Sequence, residues 1–100
     1  MAEYCFSIIC TSEIEEKLLD LMLTMFPDDV FTSMPLHSHG TRPGQMSAIE
    51  QVIGRSRSMC VQILVSGEES ATLQDLLRRD FAGTGIRFWV MPIVVDGEIA

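Results

Sequence analysis

Hydrophobic and polar positions recur with two different periods along this chain, and the switches between them mark six elements. Residues 4–11 (YCFSIICT) mix aromatic, β-branched and small side chains without a clean polar side, which predicts a strand that is apolar on both parities. Ser12 followed by Glu15 has capping-box spacing, and Ile14, Leu18, Leu21, Met22 and Met25 then recur at helical spacing until Pro27 stops the run. A short second strand is expected over 30–36. Residues 35–47 are polar and rich in Gly, Pro, His and Ser, the composition of a long loop, and such loops commonly carry function. From 52 to about 66 a third strand is expected, bent at Gly54, with Met59, Val61, Ile63 and Val65 on one parity and Ser56, Ser58, Gln62 and Ser66 on the other. Ser47, Glu50 and Gly54 also fit a single helical turn, so two readings of 47–53 stand side by side. Leu73, Leu76, Leu77 and Phe81 mark a second helix ended by Gly83, and 86–95 is the last strand.

The order is therefore βαββαβ. Two right-handed βαβ halves of this kind make an α+β, ferredoxin-like domain: a four-stranded antiparallel sheet, two helices on one face, and a long loop between strands two and three. The opposite face then has no helix to cover it. Strand one (Tyr4, Phe6, Ile8 against Cys5, Ile9) and strand four (Phe88, Val90, Val94 against Trp89, Met91, Ile93, Val95) are apolar on both parities, and strands of that kind are covered on both faces. Further copies of the same chain are expected to supply the missing cover in a closed homo-oligomer.

Length and composition sharpen this picture. One hundred residues make a single domain, 1–100, and 47% hydrophobic residues is a high apolar content for a chain this short, as a subunit interface requires. Fourteen Asp and Glu against seven Lys and Arg give a net charge of −7, which opposes nucleic-acid binding, since that needs a basic surface to replace phosphate counterions. The N-terminal Met-Ala-Glu-Tyr-Cys has an acid where a signal peptide carries positive charge, and the longest apolar run, 88–95, is far below the ~20 residues of a bilayer span. No direct membrane insertion is expected. Three cysteines, Cys5, Cys10 and Cys60, are an odd count without a disulfide pattern, which fits a reducing cytoplasm.

Two groups of side chains have chemistry to offer. Arg55 and Arg57 continue the core-facing row of strand three toward the loop, and with Arg87 they are candidates to line a cleft between subunits that binds an anion, because guanidinium matches phosphate and carboxylate geometry. The bland alternative is that they pair with the surplus of acids. His37 and His39, two residues apart and close to Met34, are candidate ligands for Zn, Cu or Ni. Against that reading, two imidazoles do not complete a site, and a polar loop carries histidines for no special reason. Asp28 and Asp29 are assigned to the turn after helix one, Glu13, Glu15 and Glu16 to its dipole, and most methionines to packing. No nucleophile is matched with a base and an orienting acid, so no enzyme is expected.

The element order, the loop Met-Pro-Leu-His-Ser-His-Gly (34–40), the stretch Glu-Gln-Val-Ile-Gly-Arg (50–55) and the stretch Gly-Ile-Arg-Phe-Trp-Val-Met-Pro (85–92) resemble the PII-like superfamily. That superfamily holds the nitrogen-regulatory PII proteins and the divalent-cation-tolerance protein CutA. Within it the chain is most similar to short PII-like proteins found with heavy-metal efflux systems of bacteria. The resemblance implies a cytoplasmic homotrimer, without enzymatic activity, whose loop touches a partner, such as a metal-efflux transporter component. It places Gly83, Gly85 and Arg87 near a glycine-rich turn used for nucleotide, and Gln45 near a glutamine that reaches nucleotide. The partner-contact loop spans 36–47 and includes Leu36, His37, Ser38, His39, Gly40, Thr41 and Arg42. Two features depart from the PII pattern: the chain ends Asp96-Gly-Glu-Ile-Ala where PII proteins carry basic residues, and its one tyrosine is Tyr4, outside the loop. The leading expectation is a metal-responsive regulator binding a divalent ion at His37 and His39. The alternative is an adenine-nucleotide sensor using the arginines.

Overall fold

The computed structural model describes residues 2–40 and 55–100, with residues 55 and 56 described by their backbone alone. The elements run β1 (Tyr4–Thr11), α1 (Glu15–Met25), β2 (Thr32–His39), β3 (Arg55–Val65), α2 (Gly67–Asp80) and β4 (Arg87–Pro92). The four strands form one antiparallel sheet in the order β2-β3-β1-β4, the ferredoxin-like arrangement expected from the sequence.

β1 lies inside the sheet, paired with β3 from Tyr4↔Val65 to Thr11↔Ser58 and with β4 from Tyr4↔Pro92 to Ile9↔Arg87. A strand flanked on both sides has little solvent access, which accounts for the complete burial of Phe6, Ser7 and Ile8. Phe6, Ile8 and Cys10 share one face with Val61, Ile63 and Val65, and the helices cover that face with Leu18, Met22, Leu73 and Leu77. Phe6 stacks on Phe88 with ring centroids 5.4 Å apart. Burying each of these large side chains contributes roughly 1.5–3 kcal/mol. Outside the core, Lys17 fixes α1 against the end of α2: its Nζ donates to the Asp80 carbonyl at 2.6 Å and lies 4.6 Å from the centre of the Phe81 ring.

Several boundaries differ from the sequence reading, each for a local reason. Ser12 and Glu15 do not form a capping box. The Ile14 N–H donates to the Thr11 carbonyl in a turn directly off β1, and α1 starts at Glu15 with Ile14 as a cap that makes no side-chain bond. A capping box does form at α2. There the Ser66 hydroxyl accepts from the Glu69 N–H at 3.1 Å, and the Glu69 carboxylate accepts from the Ser66 N–H at 2.8 Å. The second helix thus begins at Gly67, well before Leu73, and Ser66 caps it rather than ending β3. β2 starts at Thr32 and runs through His39, so residues 36–39 belong to a strand and not to the loop. β4 stops at Pro92. The segment 41–54, with the two readings of 47–53 and the bend at Gly54, lies outside the described residues.

Candidate functional site

Strand periodicity decides what the loop-proximal residues share. β2 pairs with β3 in a register that sets Pro35 opposite Met59, His37 opposite Arg57 and His39 opposite Arg55. These positions have the parity of the helix-covered face, because Val61 and Ile63 continue the same row of β3 into the core. Met34, Leu36 and Ser38 have the other parity. Met34 is opposite Cys60, and the Ser38 and Ser58 hydroxyls are 2.6 Å apart. The strand therefore separates Met34 from the two histidines, to which its place in the sequence brings it close.

A groove of about 370 Å³ opens where this end of the sheet meets the start of α1. Three segments build it: Ser12 and Glu15 from the β1–α1 turn, Pro35, Leu36 and His37 from β2, and Arg57, Ser58 and Met59 from β3. Pro35 and Met59 give it an apolar wall. His37 and Arg57, both exposed, stand as a cross-strand pair along its rim. The N-terminal turn of α1 adds backbone N–H groups that have no partner within the helix, together with the positive end of the helix dipole. Among the described residues Glu15 is the one acid in the lining. It also faces the core: burial pushes the Cys10 thiol up to about 11, and the Glu15 and Cys60 charges add to that shift. The arrangement suits a ligand with an apolar ring and an anionic end.

The other candidates lie elsewhere. Arg87 pairs with Ile9, which puts it on the helix-free face and on the edge strand β4, two strands from β3. A single chain thus keeps Arg57 and Arg87 on opposite faces. Gly83 and Gly85 have φ of +80° and +79°, left-handed values that let the chain turn sharply from α2 into β4. Gly40, with φ +74°, follows the last residue of β2. Thr41, Arg42 and Gln45 lie outside the described residues, and Arg55 is placed by its backbone only. Among the described residues no group of three or more His, Cys, Asp or Glu is placed to hold a metal ion. Sequence reasoning missed Ser12, Glu15, Ser58 and Met59 as groove residues, and no linear signal marks them, since three distant segments meet only through the strand pairing.

The helix-free face is the second feature of note. Trp89, Leu64, Met34 and Met91 are 40–49% exposed there, beside the half-buried Cys5. A smaller groove of about 220 Å³ runs between Cys5, Val30, Thr32, Gln62 and Leu64 on this side. Among the described residues no helix is long and apolar enough to cross a membrane.

Comparison with known proteins gives the following. The model of a family described as "Protein of unknown function (DUF3240)" matches residues 1–100. No match was found among curated proteins. The crystal structure of a DUF3240 family protein from Shewanella baltica OS155 superposes with a TM-score of 0.79 at 16% identity, covering 100% of this chain and 99% of that one. CPII of Thiomonas intermedia K12, a nitrogen regulatory PII-like protein bound to ADP, AMP and bicarbonate, superposes with a TM-score of 0.73 at 17% identity over 99% of this chain and 98% of that one. The periplasmic divalent cation tolerance protein CutA of Archaeoglobus fulgidus gives a TM-score of 0.66 at 13% identity, over 98% and 89%. The fold is thus that of PII-like proteins and CutA.

Proposed function

The chain belongs to the DUF3240 family, and from that membership and its PII-like fold we propose a small, non-enzymatic, cytoplasmic regulator that binds an adenine nucleotide in the groove at the His37–Arg57 pair. The observation that carries this reading is the pairing itself. A guanidinium and an imidazole face each other across two strands, at the positive end of α1 and beside the apolar Pro35 and Met59. Arg57 and the α1 N-terminus receive phosphate, and the apolar wall receives the base. The ADP and AMP bound to the Thiomonas PII-like protein support this ligand class.

Regulation follows from where the groove lies. Leu36 and His37 line it and also belong to β2, which among the described residues is an edge strand of the sheet. A ligand that orders this edge changes its affinity for a protein partner, a shift of population between two states of the β2 edge, residues 36–39. The helix-free face is covered by other copies in a homotrimer, for its exposed Trp89, Met91, Leu64 and Met34 form an apolar surface that a lone soluble chain rarely presents.

The metal-responsive reading is the rival. His37 and His39 share one side of β2, but His37 is flanked across the strand by Arg57, whose positive charge opposes a cation. Calorimetry separates the two. ADP is expected to bind, and Arg57→Ala to weaken it at least about tenfold, 1.4 kcal/mol. A protein that ignores ADP and AMP but takes up Zn²⁺, Cu²⁺ or Ni²⁺, with uptake lost in His37→Ala/His39→Ala, hands the site to metal.

A further inference from the structure

Sulfur collects on the helix-free face of the sheet. Cys5, Cys60, Met34 and Met91 all have that parity, and the strand registers join them in two directly opposed pairs, Cys5↔Met91 on β1 and β4 and Met34↔Cys60 on β2 and β3. Directly opposed residues hold their Cβ atoms about 4.5–5.5 Å apart, close enough for a thiol and a thioether to converge on one ion. The pairs differ in access. Cys60 is 5% exposed and burial pushes its thiol up, so it keeps its proton. Cys5 is half-buried and opens into the groove of about 220 Å³ on this face, with Met91 49% exposed beside it.

Two further side chains surround the Cys5 sulfur. Ser7, the next residue of β1 on this face, is completely buried, and its Oγ accepts from the Gln62 Nε2 at 3.1 Å. That leaves the Ser7 hydroxyl proton to point toward the Cys5 Sγ, 4.0 Å away. A hydrogen bond of this kind orients a ligating sulfur and supports its thiolate form. Opposite Ser7 stands Trp89, diagonal to Cys5 and two residues from Met91 on the same side of β4.

We infer that Cys5 and Met91 bind a soft monovalent metal ion, of the class of Cu(I), with the Trp89 ring beside it. Thiolate and thioether are the ligands that select soft ions, and a monovalent ion with a closed d shell is satisfied by about two or three of them. Charge makes the same choice. On binding, the Cys5 thiol gives its proton to solvent and its sulfur takes the ion, so one thiolate and one positive charge make a neutral unit beside Leu64 and Trp89. A divalent ion there keeps a net positive charge against an apolar surface, and among the described residues no group of three or more His, Cys, Asp or Glu exists to offset it. The site shares no residue with the His37–Arg57 groove, so it stands or falls independently of nucleotide binding. Being neutral, it is compatible with the cover by other copies proposed for this face.

Titration of the reduced full chain with Ag⁺ in chloride-free buffer tests this, since Ag⁺ is soft, monovalent and stable in air. Trp89 is the single tryptophan, so its fluorescence reports the site. The expected result is a first Ag⁺ taken up per chain in native mass spectrometry together with quenching of Trp89, both lost in Cys5→Ser. In Met91→Leu the affinity is expected to fall at least about tenfold. Met34→Leu, at the buried pair, is expected to bind as the wild type does, and Zn²⁺ to leave the fluorescence unchanged. Leu replaces Met at nearly constant volume, and circular dichroism checks that each variant folds. Quenching that survives Cys5→Ser overturns the inference. So does a Met91→Leu affinity equal to that of the wild type, which leaves only an ordinary thiol, and so does Zn²⁺ bound at this site as tightly as Ag⁺.

Discussion

Cys10 shows how one position ties packing to pH. It is buried on the helix-covered face of β1, and its thiol is raised from 9.0 to about 11 by burial first and by Glu15 and Cys60 after it. Both folded and unfolded chains keep this thiol protonated below pH 9, so it has no effect on stability there. Between pH 9 and 11 the unfolded chain releases the proton while the folded chain holds it, and stability falls as pH rises. Urea unfolding followed across pH 8 to 11 is expected to show that slope, and Cys10→Ala to flatten it; an equal slope in the variant assigns the effect to other groups. Alkylation of the native protein at neutral pH is accordingly not expected at Cys10.

At the scale of elements, the two helices begin differently although their sequences look alike. Ser12-x-x-Glu15 and Ser66-x-x-Glu69 share one spacing, but only the second makes both reciprocal hydrogen bonds. The first is taken over by the turn that leaves β1, in which Ile14 bonds back to Thr11. Ser66→Ala is therefore expected to destabilise the protein by about 1 kcal/mol, and Ser12→Ala by no more than about 0.5 kcal/mol. Paired urea titrations give the comparison, and equal losses contradict the assignment of the caps. The same competition between local signal and tertiary pairing lengthens β2. Its 34–39 stretch has turn-forming residues, yet ladder bonds to β3 hold it extended through His39, with Pro35 tolerated because β2 is an edge strand.

For the whole molecule, the two faces of the sheet are unequal. One face is sealed by α1 and α2, and the other presents Trp89 and Met91 from β4 with Leu64 and Met34 from β3 and β2. Trp89→Glu places a charge on that surface without touching the core, since Trp89 points away from the helices. Sedimentation velocity is expected to show the proposed trimer replaced by folded monomer. A Trp89→Glu protein that sediments as the wild type removes this face from the interface.

The sequence alone determined the order of elements and the composition of the core, because period-two and helical repeats are local properties that the chain writes directly into its residues. Phe6, Ile8, Leu18, Met22, Val61, Leu73 and Leu77 all lie where their periodicity puts them. The apolar second parity of β1 and β4 likewise announced a face without a helix. Candidate chemistry was legible only as residue types: His37, Arg57 and Arg87 carry useful groups, but nothing linear says which of them meet. Tertiary structure decided that, through register and parity. A pairing of β2 with β3 slipped by one residue takes His37 away from Arg57, and the parity of β4 sends Arg87 to the other face. The groove itself exists because the turn at Ser12 brings α1 over the ends of β2 and β3, a meeting of segments 20 or more residues apart that only the folded sheet specifies.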